Sequence, residues 1–127
     1  MKRKQRFFIC ESCGNMVGLI NDEGAPLVCC GEEMSELVPN SVEASGEKHL
    51  PDVTVTGNSV SVQVGSVPHP MEAGHHISFV YMETERGGQR KRLNVGEAPK
   101  LSFALVDDKP VAVYAYCNLH GLWVTEV

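Results

Sequence analysis

Cys10, Cys13, Cys29 and Cys30 crowd one short stretch at the start of the chain, accompanied by few large apolar residues. The stretch runs to Leu37-Val38. Pro39-Asn40-Ser41 and Ala44-Ser45-Gly46 then mark a connection of turn-forming residues with little apolar content. About forty residues is near the size below which a domain needs a metal or disulfides to stay folded. What these four sulfurs hold therefore decides how this part folds. Cys10-Glu11-Ser12-Cys13 puts two thiols on one tight turn, with Gly14 behind it to let the backbone bend back. Cys29 and Cys30 are adjacent and followed by Gly31. Adjacent side chains diverge, so this half is expected to distort the tetrahedron that four thiolates form around iron or zinc. The basic opening, Lys2-Arg3-Lys4-Gln5-Arg6, leads only into Phe7-Phe8-Ile9, too short for a signal-peptide core or a membrane span. A reducing cytoplasm is the expected location, which favours metal ligation over two disulfides. Spacing alone does not separate iron from zinc, nor a working centre from a zinc knuckle that only folds the segment.

The remainder reads as strands. Val60, Val62 and Val64 alternate with Ser59, Ser61 and Gln63, the period of two that a half-buried strand imposes. Leu101, Phe103 and Leu105 alternate with Ser102 and Ala104 in the same way. Further β-branched or aromatic runs are Val53 to Thr56, Ile77 to Met82 and Val111 to Tyr116. Turn signals separate them at Gly57-Asn58, Gly87-Gly88, Gly96-Glu97-Ala98-Pro99 and Asp107-Asp108-Lys109-Pro110. Short strands at this spacing predict an antiparallel β-sandwich of immunoglobulin-like type. The 127 residues, 43% hydrophobic and only 6% aromatic, allow one ordinary domain plus a small satellite, with a core built mainly from Val, Leu, Ile and Ala. The expected division is residues 1–38 and residues 39–127. A net charge of -5, without a basic stripe interleaved with aromatics, argues against a general nucleic-acid binder.

Four of the five histidines and the remaining cysteine fall into three segments of this second part. They are His49 before Leu50-Pro51, His69 and His75 in the string from His69-Pro70 to Gly74-His75, and Cys117 with His120 in Cys117-Asn118-Leu119-His120-Gly121. Taken singly, each histidine is as well explained by packing or by a surface. Together they lie in Pro- and Gly-framed loops near strand ends, where rings from separate segments can converge. Imidazoles plus one thiolate suit iron, copper or zinc, and five ligands exceed the tetrahedron of a structural zinc site. A five-coordinate iron keeps one position for a small molecule, which makes catalysis the leading reading. His76 competes with His75 for the same role.

With these motifs in this order, the chain resembles the desulfoferrodoxins, which are two-iron superoxide reductases. Its first part is similar to the desulforedoxin module, itself a rubredoxin-like iron domain, through Cys10, Cys13, Cys29 and Cys30. Its second part is similar to the neelaredoxin-type catalytic domain through Glu47-Lys48-His49 and Pro51, His69-Pro70-Met71, His75, and Cys117-Asn118 with His120-Gly121. The resemblance covers essentially the whole chain. It implies two iron ions per chain, one on the four cysteine thiolates and one on His49, His69, His75 and His120 with Cys117 axial. It also implies an immunoglobulin-like catalytic domain, a homodimer, and a small donor such as rubredoxin. His76 stands where a tryptophan or another bulky residue would be unremarkable, which leaves the implied ligand set intact.

The implied reaction is one-electron reduction of superoxide to hydrogen peroxide, with two protons taken up and no oxygen released. An axial thiolate pushes electron density towards the open position, as in haem-thiolate enzymes. Superoxide is an anion approaching a negatively charged protein, so a local cation is needed to steer it. Lys48, beside His49, is the candidate for steering and for hydrogen-bonding the oxygen species, and Glu47 for closing the position in the oxidised state. Backbone N–H groups of Asn118 to His120 are expected to tune the Cys117 sulfur. No flavin or nicotinamide fingerprint is present, so electrons arrive from a partner. Rival readings are a dismutase, a pure electron carrier using the four-cysteine centre, and a zinc-stabilised binding module. The electron-carrier reading leaves the five second-part ligands without a role, and the zinc module would leave Lys48 replaceable and both sites colourless.

Overall fold

The structure is a computed structural model that describes residues 2–127. It divides into two compact units, residues 4–38 and residues 39–127 with Lys2 and Arg3.

In the smaller unit β1 (Phe7–Ile9) is flanked by β2 (Met16–Gly18) and β5 (Ser35–Glu36), both antiparallel to it. A second ribbon pairs β3 (Val28–Cys29) with β4 (Glu32–Glu33). Only Phe7 and Cys10 are fully buried among the residues of this unit. Such a core is too small to hold a fold by apolar burial, as its length already implied. One polar clamp adds to it: Arg6 donates from Nε and Nη2 to the two carboxylate oxygens of Glu36, at 2.9 Å each, and from Nη1 to Asp22. A fork matched to a carboxylate in this way fixes geometry as well as charge.

The larger unit opens with a single helical turn, α1 (Gly46–His49), followed by seven strands: β6 (Pro51–Thr56), β7 (Ser59–Val64), β8 (Ile77–Thr84), β9 (Gly87–Arg92), β10 (Lys100–Ala104), β11 (Pro110–Cys117) and β12 (Gly121–Glu126). They form two antiparallel sheets, ordered β10-β7-β6 and β12-β11-β8-β9. Val60, Val62, Val64 and Phe103 of the first sheet, with Leu105 just past β10, pack on Ile77, Val80, Met82, Val113, Ala115 and Cys117 of the second, giving the open immunoglobulin-like sandwich that the alternation predicted. None of the described helices is long and apolar enough to cross a membrane.

Two strands depart from the sequence reading. Gly87 and Gly88 begin β9 instead of forming the turn, which falls on Glu85-Arg86 between the paired Thr84 and Gly87. A Cβ at Gly88 would stand 2.0 Å from the Tyr81 hydroxyl, so that glycine makes room for a ring. Because β9 is an edge strand with polar side chains, it carries no apolar alternation to betray it. β12 carries no alternation either, because Leu122, Trp123 and Val124 are all buried.

At the end of the sandwich, β8 and β11 slip by one residue between Phe79↔Tyr116 and Ile77↔Cys117, leaving Ser78 unpaired. This bulge brings Ile77 to the core face opposite Cys117, and it sits directly beside the loop that carries His75 and His76. Asn40 ties the connection to β12: its N–H donates to Leu122 O (3.0 Å), its Nδ2 to Val124 O (3.2 Å), and its Oδ1 accepts from Val124 N–H (2.9 Å). Its φ of 60° is a left-handed value that Asn tolerates better than most residues. Asn40→Ala is expected to lower unfolding free energy by about 2–3 kcal/mol, through two lost side-chain hydrogen bonds and backbone strain. Asn40→Gly should cost less because it relieves the strain. Denaturant titration of both variants checks this, and equal losses would show that the strain contributes nothing.

Candidate metal centres

His49 ends the α1 turn and is 3% exposed; His69, in the loop after β7, is 2% exposed. Each ring is fixed by a backbone carbonyl: His49 Nδ1 lies 2.7 Å from Ser45 O, and His69 Nδ1 lies 2.7 Å from Pro70 O. A carbonyl only accepts, so both Nδ1 atoms carry the proton and both Nε2 atoms present lone pairs. Those Nε2 atoms face each other at 3.3 Å. His75 Nε2 is buried without any hydrogen-bond partner. His120 approaches with its other nitrogen: Nδ1 is 3.1 Å from His49 Nε2 and 3.8 Å from Cys117 Sγ. Donor atoms of His49, His69, His75 and Cys117 all lie within 4.8 Å of one another. Ligands about 2.1 Å from one ion and at right angles stand about 3.0 Å apart. The two Nε2 contacts of His49 have this spacing, and the orphaned nitrogen of His75 is otherwise a costly defect. The donor set fits an ion.

Burial, above all, lowers the proton affinity of His49 and His69, and pushes His69 down to about 4. Both are therefore neutral at pH 7, the form a metal needs. His76 is turned away: its Nδ1 lies 3.0 Å from Glu72 O, so the competition between His75 and His76 resolves in favour of His75 in this geometry. Glu47 and Lys48 lie on the α1 turn with His49, and both are exposed. The positive charge of Lys48 is felt at the His49 ring.

The sequence gives no signal for two contributors, Trp123 and Gly65, and for a third, Asn118, it predicts only a backbone role. The Trp123 ring stacks on His49 at 4.9 Å between centroids, while its Nε1 donates to His120 O at 3.0 Å, so one buried indole holds two of the imidazole segments. Asn118 sutures the last loop to the His75 loop: its Oδ1 accepts from His76 N–H (2.8 Å), and its Nδ2 donates to Gly74 O (3.0 Å). Its own N–H donates to His76 O at 3.2 Å, which corrects the expectation that this group serves the Cys117 sulfur. At Gly65, φ is +83° and a Cβ would stand 2.2 Å from Val67 O, 2.7 Å from Lys48 O and 2.8 Å from Glu47 O. Only glycine lets the α1 turn dock here.

In the smaller unit the four cysteines are free and clustered. Cys13 and Cys29 sulfurs are 3.7 Å apart and those of Cys29 and Cys30 are 4.0 Å apart. Disulfide sulfurs lie at about 2.05 Å, whereas the edge of a tetrahedron with metal–sulfur bonds of about 2.3 Å is about 3.8 Å. The geometry is that of a tetrathiolate site. Cys30 adopts a left-handed φ of 54°, followed by Gly31 at 75°, and this is how two adjacent cysteines reach one centre. Asn15 supplies its N–H to Cys13 Sγ (3.5 Å) and its Nδ2 to Cys29 Sγ (3.8 Å). The backbone of Cys13 is the main influence drawing Cys10 down to about 7, while the thiols of Cys13, Cys10 and Cys29 push Cys30 up to about 12. Without a cation the cluster resists holding four negative charges at once.

One all-thiolate cluster and one imidazole–thiolate cluster on a small β scaffold define a two-centre metalloprotein. Comparison with known proteins narrows that class. Residues 41–126 match the desulfoferrodoxin family and residues 2–37 match the desulfoferrodoxin N-terminal domain. The chain is 40% identical to a desulfoferrodoxin of Syntrophotalea carbinolica over 126 residues, 99% of each chain. It superposes on the superoxide reductase of Treponema pallidum with a TM-score of 0.82 at 38% identity, covering 98% of this chain and 100% of that one. A one-iron superoxide reductase of Giardia intestinalis matches at TM-score 0.53 and 32% identity, covering 64% of this chain and 99% of that one. The chain belongs to the desulfoferrodoxin family.

Gly65→Ala is expected to displace the α1 turn and lower metal affinity at the imidazole–thiolate centre about 10–100-fold, with the tetrathiolate centre unaffected. Chelator competition followed by metal analysis reads this, and unchanged affinity at the imidazole–thiolate centre would show that the turn docks without the glycine. In metal-free protein, the unfolded chain takes up a proton at His69 near pH 6.5 that the folded chain refuses until about pH 4. Stability therefore falls as pH drops through that window. His69→Gln should remove part of the slope in a pH series of urea midpoints.

Proposed function

We propose that this protein reduces superoxide by one electron to hydrogen peroxide, consuming two protons and releasing no oxygen. The observation that carries the reading is the buried, unpartnered Nε2 of His75 beside the lone pairs of His49 and His69 and the Cys117 sulfur. Full-length likeness to a superoxide reductase supports the choice of reaction. The proposed ligands are His49, His69 and His75 through Nε2, His120 through Nδ1, and Cys117 through Sγ. When bound there, ferrous iron supplies the single electron that takes superoxide to the peroxide level.

The chain's own residues do the rest. The buried, neutral rings of His49 and His69 accept a cation without bringing charges of their own, and Cys117 is the donor of the set that brings a negative one. Lys48, on the exposed turn that ends in His49, draws the anion in against a net charge of -5 and donates a hydrogen bond to it. Glu47, on the same turn, offers the carboxylate that closes the site in its oxidised state. Trp123 and Asn118 hold the rings in register. A rubredoxin-like protein is the proposed electron source and a homodimer the proposed assembly. The tetrathiolate centre of Cys10, Cys13, Cys29 and Cys30 is proposed to hold the other iron.

The test is rapid mixing of superoxide with the anaerobically reduced, two-iron protein. One ferrous ion oxidised per superoxide, with peroxide and no oxygen formed, is expected; oxygen release without a reductant would replace this reading by dismutation. Cys117→Ser should abolish the thiolate-to-iron absorption of the imidazole–thiolate centre, the second centre along the chain, and spare that of the tetrathiolate centre. Lys48→Ala should slow the encounter about tenfold at low ionic strength and flatten its salt dependence. An unaltered rate there would remove Lys48 from the steering role.

A further inference from the structure

Four of the chain's eleven basic residues, Arg86, Arg90, Lys91 and Arg92, fall within seven positions that contain no acidic residue, in a protein of net charge -5. Three of them lie on β9, the outer strand of the four-stranded sheet. They do not share one task. Lys91 turns towards the facing sheet: its Nζ donates to Ser102 O at 2.6 Å and lies over the Phe103 ring. Gln89 does the same through Ala104 O at 2.7 Å. Those two side chains close the edge of the sandwich. Arg90 and Arg92 point to the opposite face, are exposed, and take part in none of the ion pairs among the described residues.

Register gives this face a direction. Arg92 stands opposite Phe79, Phe79 opposite Tyr116, and Tyr116 precedes Cys117 in the chain. The Phe79 and Tyr116 rings stack at 5.9 Å with 11° between planes. One row across the sheet therefore links an unpaired guanidinium, a stacked aromatic pair and the backbone of the proposed thiolate ligand. We propose that Arg90 and Arg92 form the docking surface for an acidic one-electron carrier protein, which passes its electron to the second centre along this row. The inference rests on the superoxide-reductase reading above, since it names where the reductant of that reaction binds. The carrier loses one electron and the oxidised centre gains it, with no bond made or broken. Entry through the sheet keeps the bulky donor away from the Lys48 turn, so an anionic substrate and an anionic partner do not compete for one mouth. A row of cations on an edge strand also deters edge-to-edge pairing. That role alone needs positive charge but no particular alignment with Tyr116.

The experiment uses the full-length two-iron protein and a reduced rubredoxin, an acidic iron carrier, as probe. Binding is read by amide shift changes on the carrier over a salt series, and electron delivery by stopped-flow reduction of the oxidised second centre. Arg90→Gln/Arg92→Gln is compared with Lys100→Gln/Lys109→Gln, which removes the same charge from positions outside β9. We expect the β9 pair to weaken binding at least tenfold and flatten its salt dependence, with the control within twofold of the parent. Oxidation of the reduced protein by superoxide should be unchanged in both variants. Equal binding by both pairs, no binding of the carrier at low salt, or retention of an oligonucleotide by β9 in its place would each overturn the docking proposal. Loss of the superoxide step in the parent itself would overturn the functional reading instead, so the two failures are distinguishable.

Discussion

Two backbone carbonyls decide the chemistry of the larger unit. Ser45 O and Pro70 O accept from His49 and His69 at 2.7 Å each, and by taking the Nδ1 proton they oblige each ring to offer Nε2 inward. A histidine without such a partner exchanges tautomers and rotates, and its lone pair is then not available at a fixed point. Burial reinforces this, because a desolvated ring resists the proton that would cancel its lone pair. His120 follows a different rule: it presents Nδ1, and its carbonyl is held by the Trp123 indole, which also stacks on His49. The two halves of the donor set are thus braced against one another before any ion arrives.

The scaffold beneath supplies rigidity at the places where loops leave it. The bulge at Ser78 and the end of β11 place the His75 loop beside Cys117, and three hydrogen bonds of Asn118 then join them. At the other side the α1 turn sits on Gly65, where three carbonyls leave no space for a side chain. Loops positioned in this way behave as extensions of the sheets, which lets ligands from three distant segments meet. The smaller unit solves the same problem with the opposite economy: it has almost no core, and four sulfurs at tetrahedral spacing take its place.

Much of this was legible in the sequence. The alternation of Val60, Val62 and Val64 places all three in the core, and the cysteine spacing marks the tetrathiolate cluster. Motif order alone carried the resemblance that the family comparison bears out. Other features were not legible. β9 is polar because it lies at an edge, and the three consecutive central residues of β12 are all buried, so neither shows the period that identifies a strand. Trp123 reads as a core aromatic until its indole is seen between two ligand segments, and Asn118 reads as a loop residue until its partners across the gap are known.

The sequence by itself determined the kinds of donor, their three-segment grouping and the turns on which they sit, because these depend on side-chain chemistry and on neighbours along the chain. Tertiary structure decided which nitrogen of each ring faces inward, that His75 and not His76 joins the cluster, and that β9 turns two arginines to one face. Each of those outcomes depends on a carbonyl, a ring or a paired strand brought from elsewhere in the chain, and no local spacing encodes such a partner.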